Sequence, residues 1–71
     1  MIYKKFNSST LFSASYIEEV KFLEVKFNRG ATYRYFDVPK EKFLALCEAE
    51  SAGSFFNKNI AAKFKYVKLE N

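Results

Sequence analysis

"RGATYRYFDVP", residues 29 to 39, sets two tyrosines either side of an arginine, just after a glycine and just before a proline. The stretch decides the fold because it has two readings. Tyr33, Arg34 and Tyr35 are either a platform on which nucleic-acid bases stack, or a strand with one buried side and one wet side.

The flanking residues favour the strand. Asn28, Arg29 and Gly30 have the composition of a three-residue hairpin loop, with Gly30 supplying the positive φ of a type I turn plus bulge. Phe27 then faces Ala31. Extending the ladder pairs Val25 with Tyr33 and Leu23 with Tyr35 on one side, and Glu24 with Arg34 and Lys26 with Thr32 on the other. A second hairpin with Glu18 to Lys21 as its polar tip sets Tyr16 opposite Leu23, Ala14 opposite Val25 and Phe12 opposite Phe27. Tyr33 and Tyr35 thus share a side with Phe12, Tyr16, Leu23, Val25 and Phe27, and the period-2 pattern assigns that side to the core. Arg34 points the other way, into a polar row with Ser15 and Glu24, where an exposed cross-strand ion pair is worth roughly 0.2 to 1 kcal/mol.

The same register places Ile17, Phe22 and Phe36 together on the wet side, which requires an explanation. One is that a terminal segment, Tyr3 and Phe6 or Tyr66 and Val67, folds across them. The other is a patch for a protein partner.

"DVPKEKFLALCEAES" starts a helix with Pro39 at its first position, where the missing N–H is harmless and φ is already set. Phe43, Leu46 and Cys47 recur at i, i+3 and i+4 as the stripe laid on the sheet. Gly53 suits a chain reversal, and Ser51 or Ser54 caps a second, shorter helix carrying Phe56 and Ile60. The ending "KFKYVKLE" alternates like a strand. The predicted fold class is α+β: a three-stranded antiparallel meander packed on one face by one main helix and a second short helix, with a C-terminal strand or arm. The predicted core comprises Tyr16, Leu23, Val25, Phe27, Tyr33, Tyr35, Phe43, Leu46, Phe56 and Ile60.

Composition bounds the function. The chain has 71 residues, read as one domain from 1 to 71, near the lower size limit for an unaided apolar core. Nine Phe and five Tyr supply that core. The uncharged stretch Asn7 to Ile17 falls short of the roughly 20 apolar residues a membrane helix needs, so no membrane association is expected. Cys47 stands alone and can form no internal disulfide, which makes the cytoplasm the natural setting. With no His there is no Ser-His-Asp or Cys-His relay and no histidine metal ligand, and one Cys cannot build a zinc site. No phosphate-cradling Gly-x-x-x-x-Gly-Lys run is present. These exclusions point to a non-enzyme without cofactor or metal.

Two binding readings remain. From Ser51 to Leu69 the chain carries Lys58, Lys63, Lys65 and Lys68 without an acid, interleaved with Phe64 and Tyr66, within a net charge of +4. Lysines attract phosphates and aromatics stack on bases, so RNA or single-stranded nucleic acid is one expected partner, with Arg34, Lys58, Lys63, Lys65, Lys68 and Tyr66 as candidate contacts. A lysine-rich terminal strand also serves as a solvated edge that resists aggregation. The rival reading is a protein-interaction module, docking through Ile17, Phe22 and Phe36 on a host or cellular protein.

With Tyr-x-Tyr, Val-Pro and "SAGSFFNKNI" in place, the chain resembles the KTSC domain family, named for the carboxy-terminal domain of some lysyl-tRNA synthetases and also found as stand-alone bacterial and phage copies. The resemblance runs from about Ser9 to Leu69. It rests on Ser8 and Ser9, Leu23, Val25, Phe27, Gly30, Tyr33, Tyr35, Val38, Pro39, Ser51, Gly53, Phe56, Asn57, Ile60, Tyr66 and Leu69. Phe64 stands where the family commonly has tyrosine. The resemblance implies a small module without an assigned reaction, and RNA binding by analogy with the synthetase attachment.

Overall fold

In the computed structural model, which describes residues 1–70, five antiparallel strands follow one another in chain order: β1 (Ile2–Lys5), β2 (Leu11–Ile17), β3 (Phe22–Phe27), β4 (Thr32–Tyr35) and β5 (Tyr66–Glu70). Helices α1 (Lys40–Glu48) and α2 (Ala52–Phe56) and a π-helical turn (Asn57–Ala61) lie between β4 and β5. The α+β class is as expected, but the sheet has five strands where the pattern predicts three. The reason is backbone satisfaction: each outer strand of the meander presents unpaired N–H and C=O groups. Both terminal segments take them up, β1 with Ile2 opposite Tyr16 and β5 with Tyr66 opposite Tyr35.

The central register is the one the alternation predicts. Leu23 pairs with Tyr35, Val25 with Tyr33, Tyr16 with Leu23 and Ala14 with Val25. Gly30 has φ +102°, its N–H donates to the Phe27 carbonyl (2.9 Å), and the Phe27 N–H donates to the Ala31 carbonyl (2.9 Å).

Phe12 departs from expectation. Leu11, not Phe12, pairs with Phe27, and the ladder resumes at Ser13 opposite Lys26, so Phe12 is the extra residue of a β-bulge. The bulge turns Leu11 into the core, fully buried, and puts Phe12 on the opposite side, 38% exposed. Leu11 thus shares the inner face with Ala14 and Tyr16, three and five residues further on, a parity break that strict alternation cannot express.

The helices cover one face, called inner below. Phe43 of α1 stacks on Tyr16 with ring centres 5.2 Å apart and planes 12° from parallel. Phe56 meets Tyr35 and Phe27 edge-on at 5.3 and 5.5 Å. Tyr16, Leu23, Val25, Tyr35, Phe43, Leu46, Phe56 and Ile60 are buried together with Leu11, Ala14, Val38 and Ala52, whereas Phe27 and Tyr33 are half-buried at the margin.

Two punctuation residues act differently from their expected roles. Pro39 is the N-cap of α1, with extended ψ of 148°, and not its first helical residue. Gly53 makes no chain reversal but sits inside α2, where an added Cβ would lie 3.3 Å from Thr10 Cβ and Oγ1. A close approach of helix to loop is what demands glycine there. Ser51 caps α2 as anticipated, its hydroxyl accepting from the Ser54 N–H at 3.4 Å.

A candidate nucleic-acid interface

Phe56 of α2 and Ile60 of the π-helical turn are buried against the sheet, while the inner corner where β4 meets β5 is left open, with Tyr66 exposed. Tyr33 and Tyr66 occupy this corner on adjacent strands, their rings 5.4 Å apart and tilted by 50°. Tyr66 also lies 5.3 Å from Tyr35, and Phe27 closes on Tyr33 edge-on at 5.5 Å. These rings and Phe56 line a groove of about 750 Å³.

Cations and amides rim the groove. Lys68 stands opposite Tyr33 in the β4–β5 register, Arg29 projects from the β3–β4 loop, and Asn28 and Asn57 add amide groups. Tyr66 is 53% exposed, so its ring is open to a flat partner. Burial, then the neighbouring Tyr66 and Tyr33, push the Tyr35 phenol up to about 12. It therefore remains a neutral hydrogen-bond donor at physiological pH. Burial likewise raises Tyr16, but its hydroxyl is already committed, donating to the Val38 carbonyl at 2.6 Å.

The structure divides the sequence-predicted contacts. Tyr66 and Lys68 come together in the groove with the half-buried Tyr33. Lys58 in the π-helical turn, Lys63 just after it, and Lys65 before β5 are exposed but do not line it. Arg34 does not join them: it lies on the outer face, its Nε donating to Glu24 at 2.8 Å, with Nη2 at 2.7 Å and its guanidinium 4.8 Å over the Phe22 ring. Alternation alone forbids Arg34 and Tyr33 from sharing a surface. Arg29 and Asn57 are groove residues that sequence reasoning did not assign to a site. Arg29 was legible only as turn composition, and Asn57 only as part of the family resemblance.

Ile17, Phe22 and Phe36 remain half-buried on the outer face, with Phe22 and Phe36 edge-to-face at 5.2 Å. The terminal segments do not fold across them. Tyr3 and Val67 instead extend the polar row into Tyr3, Ser15, Glu24, Arg34 and Val67, one residue from each strand. Cys47 is half-buried, and burial pushes its thiol upward, away from the reactive thiolate. No helix is long and apolar enough to cross a membrane, and among the described residues no three His, Cys, Asp or Glu side chains gather as metal ligands.

Fold and groove together define a class: a small α+β domain with one antiparallel sheet, helices on a single face, and a tyrosine-lined cleft at the uncovered corner. Residues 7–64 match the KTSC domain, and the chain belongs to that family. The crystal structure of a KTSC domain protein from Yersinia pestis superposes with a TM-score of 0.88 at 32% identity, covering 96% of each chain. A protein of Tsukamurella paurometabola is 40% identical over 62 residues, 87% of this chain and 92% of that one. A lysine–tRNA ligase of Nostoc punctiforme is 40% identical over 55 residues, 78% of this chain but only 10% of the ligase.

Proposed function

We propose that this domain is a non-catalytic module that binds single-stranded RNA in the tyrosine groove. Bases stack on Tyr66 and Tyr33, and Arg29 and Lys68 meet phosphates at the rim. The observation that carries this reading is the exposed Tyr66 ring set 5.4 Å from the half-buried Tyr33, with Lys68 in register beside Tyr33. Stacking on aromatic faces tolerates any base. Likeness to part of a lysine–tRNA ligase, a protein whose substrate is an RNA, supports the same choice of ligand.

Fluorescence anisotropy with labelled oligouridylate tests it. Tyr66→Ala is the clean probe, because Tyr66 is exposed and its loss leaves the core intact. Loss of one base stack, on the order of 1 to 3 kcal/mol, weakens binding about fivefold to a hundredfold. Two phosphate contacts give a slope of about −1.4 in log affinity against log salt. Equal binding by Tyr66→Ala and the parent protein overturns the reading.

A second reading rests on Ile17, Phe22 and Phe36, which stay half-exposed on a face no helix covers. A protein docked there would be insensitive to salt and nuclease and would be released by Phe22→Ser. Retention of a lysate partner after nuclease treatment, with loss in that variant, would favour it.

A further inference from the structure

The bulge in β2 builds a second cluster that the groove does not use. As the inserted residue, Phe12 stands on the outer face, and two ammonium groups converge on its ring. Lys5 Nζ of β1 lies 5.4 Å from the ring centre and Lys26 Nζ of β3 lies 5.5 Å from it. Each cation alone is attracted by the ring face, but two around one ring repel each other.

Among the described residues the ion pairs are Arg34 with Glu24 and Lys40 with Glu18, and neither involves Lys5 or Lys26. The register neighbours of the two lysines are Ser13 and Thr32, both uncharged. Of the acids, Glu18, Glu19 and Asp37 sit at the far end of the sheet; Glu24, two residues from Lys26 on the outer face, is engaged by Arg34, and Glu50, which lines a pocket with Lys5, forms no ion pair with it. A partly exposed ring between two cations that form no ion pair among the described residues is complementary to a flat base with its phosphates.

The position of the cluster matters as much as its charge. Lys26 and Thr32 are the last paired residues before the β3–β4 loop, and that loop carries Arg29, which lines the groove on the inner face. The two surfaces therefore meet at one end of the sheet, with Arg29 between them.

We propose that a single RNA strand seated in the tyrosine groove leaves it past Arg29, rounds the β3–β4 loop and continues onto the outer face. There a base stacks on Phe12, and Lys5 and Lys26 take the adjoining phosphates. This inference rests on the groove reading above and extends its footprint.

The test is a length series of labelled oligouridylates, from about 4 to about 12 nucleotides, against the parent protein, Phe12→Ala, the double variant Lys5→Gln with Lys26→Gln, and Tyr66→Ala. The path predicts that both outer-face changes leave the shortest ligand unaffected and weaken the longest about tenfold. The double variant also makes the salt slope for the longest ligand shallower by about 1.4. Thermal midpoints of the variants show that each remains folded. If the outer-face variants bind the longest ligand as the parent does while Tyr66→Ala weakens every length, the path is wrong and the groove reading stands. If Tyr66→Ala changes nothing either, both are wrong.

Discussion

The Tyr16 hydroxyl donates a 2.6 Å hydrogen bond to the carbonyl of Val38, 22 residues away, and so ties the end of β2 to the residue that precedes the Pro39 cap. Val38 is fully buried, so no water can replace that donor. Tyr16→Phe keeps the stack on Phe43 and orphans the carbonyl, an effect of about 1 to 3 kcal/mol. Urea titration should show the midpoint falling with an unchanged slope. Retention of the parent midpoint would mean that the bond contributes nothing.

Alkaline pH should destabilise the fold through Tyr35. Its phenol titrates near 10 in an unfolded chain and at about 12 in the folded one, chiefly because of burial. Both states hold the proton below pH 10, so this contribution is fully present there. Between pH 10 and 12 the unfolded state releases the proton first, and stability falls as pH rises. Relative to Tyr35→Phe, the parent should hold a constant difference in thermal midpoint from pH 7 to 9 and lose ground only above pH 10.

The two glycines should respond to alanine for different reasons. At Gly30 no atom lies within 4 Å of an added Cβ, but φ is +102°. Gly30→Ala should therefore lose about 1 to 2 kcal/mol from backbone conformation alone. Gly53 has ordinary helical backbone, where alanine would gain up to about 1 kcal/mol of propensity were Thr10 not 3.3 Å away. Gly53→Ala should show that gain only in a Thr10→Gly background, and a double-mutant cycle reads the difference.

Cys47 should alkylate slowly. Its thiol is raised by burial, with Lys4 opposing only in part. Iodoacetamide at pH 8 should modify the native protein more slowly than the urea-unfolded chain, as followed by mass spectrometry. Equal rates would show the thiol to be open and unperturbed.

Strand parity carried most of what could be read in advance. Leu23, Val25, Tyr33 and Tyr35 alternate so consistently around Gly30 that one register satisfies two hairpins at once. Phe12 escaped because a bulge leaves no composition signal: a single inserted residue swaps Leu11 for its neighbour, and both are apolar. The amino-terminal strand escaped because Ile2–Lys5 has only one inward apolar residue, Ile2, and its pairing comes from the β2 edge it joins, whereas the carboxy-terminal strand was legible from its alternation. For the groove, Tyr66 and Lys68 were legible as an aromatic among lysines. Their juxtaposition with Tyr33 and Arg29 was not, since it depends on β5 docking beside β4 after two helical segments.

That docking closes the longest loop between paired strands. Each earlier strand lies beside its immediate predecessor across a short loop, whereas β5 must return across about thirty residues to reach β4, a larger loop-closure entropy. It also buries little on arrival, with Tyr66, Val67 and Leu69 all more than a third exposed. A chain whose final strand has peeled away retains Tyr16, Phe43 and Leu46 packed together but has lost one wall of the cleft. Ligand and strand are thereby thermodynamically linked: whatever stacks across Tyr33 and Tyr66 also staples the carboxy-terminal edge in place, and amide exchange in Tyr66–Glu70 should slow when it binds.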